Sequence, residues 1–221
     1  MTTELVIFGT GDIAQLAHHY FSADSGYTVV GFTVDRDYLP GGDFCGLPVV
    51  AFEDLADRFP PAHCDLFVAL SYAKLNRVRK EKFDAAKALG YTLASYISTR
   101  ASILNGEAFG ENCFILEDNT VQPFVVVGDN VTMWSGNHIG HHSTIGDHTF
   151  IASHAVISGG VTVGEQCFLG VNATLRDHIS VGDRCVIGAG ALLLADAEPE
   201  GVYIGQATER ARVPSTRLRN L

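Results

Sequence analysis

The sequence predicts an α/β unit over residues 1–97 followed by an all-β solenoid over residues 98–221, and two observations lead to this assignment. In the first part, short apolar runs alternate with segments of helical spacing, which is typical of a parallel sheet with helices on both faces. In the second part, an aliphatic or equivalent residue recurs at every sixth position. Helices repeat about every 3.6 residues and strands every two, so a period of six indicates a solenoid.

The elements of the α/β unit follow from apolar spacing and β-branched content. We predict strands at ELVIFG, YTVVGFTVD, CDLFVAL and YTLASYI. We predict helices at DIAQLAHHYF, FEDLADRF and KLNRVRKEKFDAAKALG, the last of which ends at Gly90. Since these strands and helices alternate, they predict one parallel sheet rather than hairpins.

The solenoid begins at Ile103 and keeps one register for fifteen hexads. Position 1 holds Ile103, Phe109, Ile115, Val121, Val127, Met133, Ile139, Ile145, Ile151, Ile157, Val163, Leu169, Leu175, Val181 and Ile187. Position 5 is usually small or medium: Cys113, Val125, Ser143, Thr149, Ala155, Val161, Cys167, Ala173, Cys185 and Ala191. With three strands to a coil, we expect about five coils whose inward residues stack into a continuous core.

Composition restricts the class of function. The formal net charge of −10 argues against nucleic acid and against an anionic membrane as the main partner. No apolar run approaches the roughly 18 residues of a membrane span, and the N-terminus lacks the features of a signal peptide. Five widely spaced cysteines without a C-x-x-C fit free thiols in a reducing compartment. We therefore expect a soluble cytoplasmic protein.

Four of the nine histidines lie in the segment NHIGHHSTIGDHT, residues 137–149, and the hexad register separates them. Position 4 is a polar, turn-facing column, for which we expect solvated surface. Its histidines are His142, His148, His154 and His178. His138 points outward from a strand, in a column that also contains valine and phenylalanine. Such outward apolar residues favour burial of part of this surface by another subunit.

His141 is the only histidine at position 3 of a hexad. Residues eighteen apart stack in neighbouring coils, so Gly159 lies one coil beyond His141. Because Gly159 has no side chain, we expect open space beside the imidazole ring, where a reacting group fits.

The hexads resemble those of the hexapeptide-repeat acyltransferases, whose repeats form a left-handed parallel β-helix. Over nearly its whole length the chain is similar to the subgroup that joins a small Rossmann-like βαβ domain to this β-helix. That subgroup contains nucleotide-aminosugar N-acetyltransferases similar to the bacillosamine and perosamine enzymes, and proteins like sialic acid O-acetyltransferase. The matching segments are VIFGTGDIA, FTVD, VALSYAKLNR, IGHHSTIGDHTFIASHAVISGGVTVGEQCFLGVNATL and GVYIGQATER.

The resemblance implies an acetyl-CoA-dependent N-acetyltransferase that acts on a nucleotide-linked 4-amino-4,6-dideoxy sugar in surface polysaccharide or glycan synthesis. It also implies that His141 is the general base, a role that a neutral imidazole suits at cytoplasmic pH. In many relatives an acidic residue follows this histidine, whereas here the follower is His142. We expect Asn137 or a carboxylate outside the motif to orient the ring. Asn137 and His142 are also expected to contact the substrate.

A G-x-G-x-x-A loop lies between the first strand and the first helix, where a glycine backbone approaches phosphate closely. Alone it would suggest NAD, but 97 residues form only about half of a dinucleotide fold. The resemblance implies that the loop holds the nucleotide of the sugar substrate, and a tight turn without a ligand is the alternative. The expected contacts are Gly9, Thr10, Gly11, Asp12, Asp35, Ser71 and Tyr72.

By the same resemblance, acetyl-CoA lies in the groove between neighbouring β-helices of a homotrimer. Gly159, Val171 and Ala189 occupy matching hexad positions and are the expected contacts. No metal is expected.

The sequence leaves three alternatives open. A sugar O-acetyltransferase differs only in the acceptor atom. A zinc-dependent hydratase of the carbonic anhydrase type would use histidines such as His142 and His178, which are two coils apart, but Asp183 stands where the third ligand is expected. The last alternative is a trimeric scaffold without catalytic activity.

Overall fold

The computed structural model describes residues 3–106, 108–210, 212 and 214–217. Its N-terminal part is a four-stranded parallel sheet of order β3-β2-β1-β4. The strands are β1 (Thr3–Phe8), β2 (Tyr27–Val34), β3 (Val49–Ala51) and β4 (Cys64–Val68). The α-helices are α1 (Asp12–Ala23), α2 (Leu55–Arg58) and α3 (Arg77–Ala88). Short 3-10 helices span Arg36–Tyr38, Phe52–Asp54 and Ser215–Arg217.

Helices cover both faces of this sheet, as the alternation of the sequence predicts. Because successive side chains of a strand point to opposite faces, β1 contributes to two cores. Leu5 and Ile7 pack with α1, whereas Val6 and Phe8 pack with α2 and α3. Within the described residues, no helix is long and apolar enough to cross a lipid bilayer.

Helix α3 begins three residues later than the sequence predicts. Lys74, Leu75 and Asn76 have φ angles of 51°, 53° and 63°, so they form a left-handed turn before the helix starts at Arg77. Non-glycine residues rarely adopt this region, and three in succession are held only by tertiary contacts. The predicted strand YTLASYI is also divided between the two parts of the chain. Leu93 forms a single bridge to Leu66 of the N-terminal sheet, whereas Tyr96–Ile97 pairs with Phe114–Ile115 of the second part.

The second part of the chain is a parallel β-helix built from two-residue strands. They are β5 (Tyr96–Ile97), β6 (Ser102–Ile103), β7 (Phe114–Ile115), β8 (Thr120–Val121), β9 (Val126–Val127), β10 (Thr132–Met133), β11 (His138–Ile139), β12 (Thr144–Ile145), β13 (Phe150–Ile151), β14 (Val156–Ile157), β15 (Thr162–Val163), β16 (Phe168–Leu169), β17 (Thr174–Leu175), β18 (Ser180–Val181), β19 (Val186–Ile187), β20 (Leu192–Leu193) and β21 (Val202–Tyr203).

These strands form three parallel sheets that run along the β-helix. The seven-stranded face has the order β21-β19-β16-β13-β10-β7-β5, the six-stranded face β20-β17-β14-β11-β8-β6, and the four-stranded face β18-β15-β12-β9. Phe150 pairs with Thr132 on one side and Phe168 on the other, so one coil is eighteen residues long. The aliphatic residues of position 1 and the small residues of position 5 fill the interior, as predicted.

Position 4 of each hexad turns a corner of the coil in the left-handed conformation, with φ between 54° and 80°. The corner residues are Gly106, Asn112, Asp118, Phe124, Asn130, Gly136, His142, His148, His154, Gly160, Gln166, Asn172, His178, Arg184 and Gly190. Glycine, asparagine, aspartate and histidine tolerate this region better than other residues. The recurrence of histidine in this column therefore has a backbone cause that is independent of any site.

The α/β unit of the same chain covers the seven-stranded face. Phe114 packs into the core of α1, and the Tyr72 ring lies 5.0 Å from Phe150 and 4.8 Å from Phe168. The expectation that another subunit buries the outward phenylalanines is therefore wrong for Phe150 and Phe168. Val156, on the six-stranded face, remains exposed.

Candidate active site

A cavity of about 660 Å³ opens between the loop after β1 and the loop after β4. Gly9 begins the first loop with φ of 126°, and a Cβ there would lie 2.9 Å from the Ala69 carbonyl oxygen. Only glycine allows the two loops to approach this closely. The N-terminus of α1, whose free backbone amides favour anions, follows directly after Gly11.

The structure gathers four of the predicted nucleotide contacts around this cavity: Gly11, Asp12, Ser71 and Tyr72. Gly9 and Thr10 form the backbone of the adjoining loop. The cavity is also lined by Trp134, which comes from the β-helix and was not predicted from the sequence. One wall of the candidate nucleotide site therefore belongs to the second domain.

Asp35 does not line this cavity with the other predicted contacts. Its carboxylate pairs with the Lys82 ammonium at 2.5 Å, and Lys82 lies over the rings of Phe8 and Phe52. The cavity opens between β1 and β4, whereas Asp35 follows β2 on the other side of β1. Strand order, which the sequence does not reveal, therefore separates Asp35 from Ser71 and Tyr72.

A second, aromatic cavity of about 360 Å³ adjoins the first. Ile13, Tyr72 and Trp134 line both cavities. The aromatic cavity also contains Phe150, Phe168 and two of the predicted acetyl-CoA contacts, Val171 and Ala189. The sequence predicts Tyr72 but not Trp134, Phe150 or Phe168, although Phe150 and Phe168 fall in one outward column eighteen residues apart.

His141 lies at the corner between the six-stranded and four-stranded faces, with its side chain exposed. As the eighteen-residue spacing predicts, the ring lies over Gly159. A Cβ on Gly159 would be 2.7 Å from the imidazole Cε1 and 2.8 Å from Nε2. The backbone amide of His141 donates to the Gln122 side-chain oxygen at 2.9 Å. Because residue 159 is glycine, no side chain occupies the space beside the Nε2 edge of the His141 ring.

The imidazole of His142 is the partner of His141. The two Nδ1 atoms are 3.1 Å apart, so one donates a hydrogen and the other accepts it. The His142 ring packs against Phe124, with ring centroids 4.6 Å apart. If His141 is the donor, its proton lies on Nδ1 and its Nε2 lone pair is free to act as a base.

Asn137 has neither of the roles expected for it in this structure. Its side chain points into the coil and is 1% exposed. The Oδ1 atom accepts from the Ala155 amide at 2.7 Å, and Nδ2 donates to the Trp134 carbonyl oxygen at 2.5 Å. Because position 5 of the hexad faces inward, the bond from Ala155 links Asn137 to the next coil, and the bond to Trp134 stays within its own coil. Asn137 therefore does not orient His141.

The predicted acetyl-CoA contacts lie at two different corners. Val171 and Ala189 are eighteen residues apart and share the corner next to the aromatic cavity. Gly159 is twelve residues from Val171, which is not a whole coil, and it shares the corner of His141. The seven-stranded face, which carries the α/β unit, lies opposite that corner. Within one chain, His141 and the two cavities are therefore on different sides of the β-helix.

His148 departs from the expectation of a solvated histidine, because it is 5% exposed. Its Nδ1 pairs with the Asn130 amide at 2.9 Å, and its ring meets Phe83 of α3 edge to face. Burial, and then the nearby Lys80 ammonium, lower the pKa of His148 below its usual range. His154 and His178 are exposed, as expected.

The part of the chain that the structure describes contains no group of three or more histidine, cysteine, aspartate or glutamate side chains placed to hold a metal ion. His142 and His178 share a corner, but the His178 ring lies against Gly160 between them.

Residues 160–195 match the family model described as the hexapeptide repeat of succinyl-transferase. No curated protein matches the chain by sequence. Among solved structures, the acetyltransferase domain of PglB from Neisseria gonorrhoeae FA1090, in complex with acetyl coenzyme A, is similar over 91% of this chain and 95% of its own, with 25% identity and a TM-score of 0.79.

PerB from Caulobacter crescentus, in complex with CoA and GDP-perosamine, is similar over 93% of this chain and 95% of its own, with 25% identity and a TM-score of 0.80. WeeI from Acinetobacter baumannii AYE shares the fold at 19% identity and a TM-score of 0.77, over 92% of this chain and 97% of its own. The three parallel sheets and the repeat fit a left-handed β-helix, and the resemblance to hexapeptide-repeat sugar acyltransferases is confirmed.

Proposed function

We propose that this chain is an acetyl-CoA-dependent N-acetyltransferase whose acceptor is the amine of a nucleotide-linked 4-amino-4,6-dideoxy sugar. The observation that carries the proposal is the likeness over more than nine-tenths of the chain to two transferase structures, one with acetyl coenzyme A and one with CoA and GDP-perosamine. Both parts of this chain are matched, so the likeness includes the sheet with the glycine loop as well as the β-helix.

The N-terminal part acts as a Rossmann-like domain that binds the nucleotide. The diphosphate lies against the glycine loop, where the backbone amides of Gly11 and Asp12 begin α1. Ser71 and Tyr72 border the same cavity from the loop after β4. The amino sugar then extends towards Trp134 and the aromatic cavity, where Val171 and Ala189 contribute to the acetyl-CoA groove.

The chain acts as a homotrimer, because one chain alone does not complete the site. His141 and Gly159 lie at the corner opposite the covered seven-stranded face, away from both cavities of their own chain. A neighbouring β-helix that presents its His141 corner to these cavities brings base and substrates together. Closed three-fold symmetry makes three equivalent sites of this kind.

In the reaction, Nε2 of His141 takes the proton that the sugar amine loses as its nitrogen bonds to the acetyl carbon. The C–S bond of the thioester breaks, and the departing CoA thiolate receives the proton. His142 accepts the Nδ1 hydrogen of His141, which keeps the Nε2 lone pair directed at the amine. Gly159 leaves that edge of the ring unobstructed.

Because acetyl-CoA and nucleotide-linked sugars are cytoplasmic metabolites, we place the enzyme in the cytoplasm. Its product would serve the synthesis of surface polysaccharides or glycans such as the O-antigen of lipopolysaccharide. Acetyl-CoA is the co-substrate, and the proposed chemistry proceeds without a metal.

A thiol-release assay with acetyl-CoA and a panel of UDP-, dTDP- and GDP-linked 4-amino sugars tests the proposal. We expect release above the hydrolysis rate with at least one acceptor, and a product that keeps its acetyl group in mild alkali, as an amide does. An alkali-labile product would instead identify an O-acetyltransferase. If no acceptor of the panel promotes thiol release, the proposed function is contradicted.

A further inference from the structure

A buried arginine that the proposed mechanism does not use lies between the α/β unit and the β-helix. Arg79 of α3 is 1% exposed, and among the described residues its guanidinium forms no ion pair with a carboxylate. Its guanidinium donates to the Thr132 hydroxyl and, at 2.8 Å, to the His148 carbonyl oxygen. Burial lowers the pKa of Arg79 to about 9, so the side chain remains a cation at neutral pH.

Burying a cation without a counter-ion is costly, and an apolar residue of similar volume would fill the same space without that cost. Such an apolar residue would not supply the directional hydrogen bonds that the guanidinium donates. One of them goes to the Asn76 side-chain oxygen, at 3.2 Å. Asn76 is itself fully buried, and its Nδ2 donates to the Cys167 carbonyl oxygen of the β-helix at 2.9 Å.

Asn76 is the last residue of the left-handed turn, and its backbone amide donates to the Tyr72 carbonyl oxygen at 3.2 Å. Tyr72 therefore belongs to the same closed loop as the anchored asparagine. Its ring packs against Phe150 and Phe168, and the residue is still 52% exposed because it forms part of the wall of both cavities.

We infer that Asn76 and Arg79 are positioning residues, which fasten the left-handed turn to the β-helix and thereby hold Tyr72 in place between the glycine-loop cavity and the aromatic cavity. The ligand that depends on this placement is the nucleoside diphosphate part of the acceptor. The inference rests on the proposed function, which places that group in the glycine-loop cavity. Neither Asn76 nor Arg79 lines either cavity, so both act through Tyr72.

The chain offers a direct probe of binding, because Trp134 is its one tryptophan and lines both cavities. Intrinsic fluorescence of the full-length protein is titrated with UDP, dTDP and GDP. We expect at least one of them to change the emission of the unaltered protein. If none does while the unaltered protein still transfers acetyl groups, the inference is overturned and the proposed function stands. If thiol release also fails, the proposed function has failed.

The decisive variant is Asn76→Gly, which removes the anchor but keeps a residue that tolerates the left-handed conformation. Its matched control is Lys74→Gly, an exposed position of the same turn with the same conformation. We expect Asn76→Gly to raise the Kd of the nucleoside diphosphate about tenfold, which corresponds to ~1.4 kcal/mol. For Lys74→Gly we expect the Kd of the nucleoside diphosphate to stay within about twofold of that of the unaltered protein. The KM for acetyl-CoA should also stay within about twofold in both variants.

Arg79→Met is the second variant, since a buried apolar side chain is compatible with folding at this position. We expect it to weaken nucleotide binding in the same direction. A double-mutant cycle between Asn76→Gly and Tyr72→Ala then tests whether Asn76 acts through Tyr72. We expect Asn76→Gly to cause no further loss once Tyr72 is alanine. Additive losses, or unchanged nucleotide binding in both Asn76→Gly and Arg79→Met, would overturn the inference.

Discussion

Two neighbouring corners of the β-helix carry histidine at the same left-handed position and use it differently. His142 is exposed, packs on Phe124 and pairs with the Nδ1 atom of His141. His148, one hexad later, is buried under α3 and pairs with Asn130. The backbone conformation is the same, with φ of 59° and 61°. The comparison shows that the repeat determines the conformation of a corner, whereas the docking of the α/β unit determines its chemistry.

The largest expected effect concerns the exposed corner. His141→Ala should lower kcat/KM for acetyl transfer about 10²–10⁴-fold, the usual contribution of a positioned general base. Steady-state thiol release with the preferred acceptor measures it. The control is His154→Ala, another exposed corner histidine, which should leave the rate unchanged. Acetyl transfer that survives intact in His141→Ala would show that this corner is not catalytic.

A smaller effect is expected for the partner of His141. His142→Asn and His142→Gly both tolerate the left-handed backbone, but only asparagine retains a side-chain oxygen that accepts the Nδ1 hydrogen. We expect His142→Gly to lower kcat about tenfold, or ~1.4 kcal/mol, with little change in KM. His142→Asn should recover most of this loss. Equal rates for the two variants would indicate that His142 does not hold the tautomer of His141.

Much of this comparison could be predicted from the sequence, because it depends on a strict local period. The hexads predict the coil length, the stacked core and the position of Gly159 beside His141. The left-handed corner was not predicted, although its signal was present in the asparagine, glycine and histidine residues of position 4.

What the sequence did not reveal depends on contacts between distant parts of the chain. The burial of His148 requires knowledge that α3 packs on that corner, and no local pattern encodes it. The same holds for Phe150, whose outward position indicated a neighbouring subunit rather than the α/β unit. Asp35 was expected at the crevice because the order of the strands is not visible in the sequence. The sequence predicts that helix α3 begins at Lys74, because lysine and leucine do not signal a left-handed turn.

The smallest expected effect concerns stability at the buried corner. His148→Ala removes the bond to Asn130 and the contact with Phe83, whereas His154→Ala places the same strained alanine at an exposed corner. The difference in unfolding free energy between the two variants therefore measures what the buried contacts of His148 contribute. We expect His148→Ala to be less stable than His154→Ala by about 1–3 kcal/mol, measured by urea unfolding at equal protein concentration.

The pH dependence of this difference has a defined sign. Burial lowers the pKa of folded His148, so below the unfolded pKa of roughly 6.5 the unfolded chain binds more protons than the folded one. The stability that the neutral His148 ring contributes to the folded state is fully present above that pH. It is lost as the pH falls towards the lowered pKa of the folded state. The groups that bear on the ring are the cations Lys80 and Arg79 and the carboxylates Asp147 and Asp84. The stability gap between the unaltered protein and His148→Ala should therefore narrow from pH 8 to pH 5.5, and a gap that widens on acidification would show that His148 gains its proton on folding.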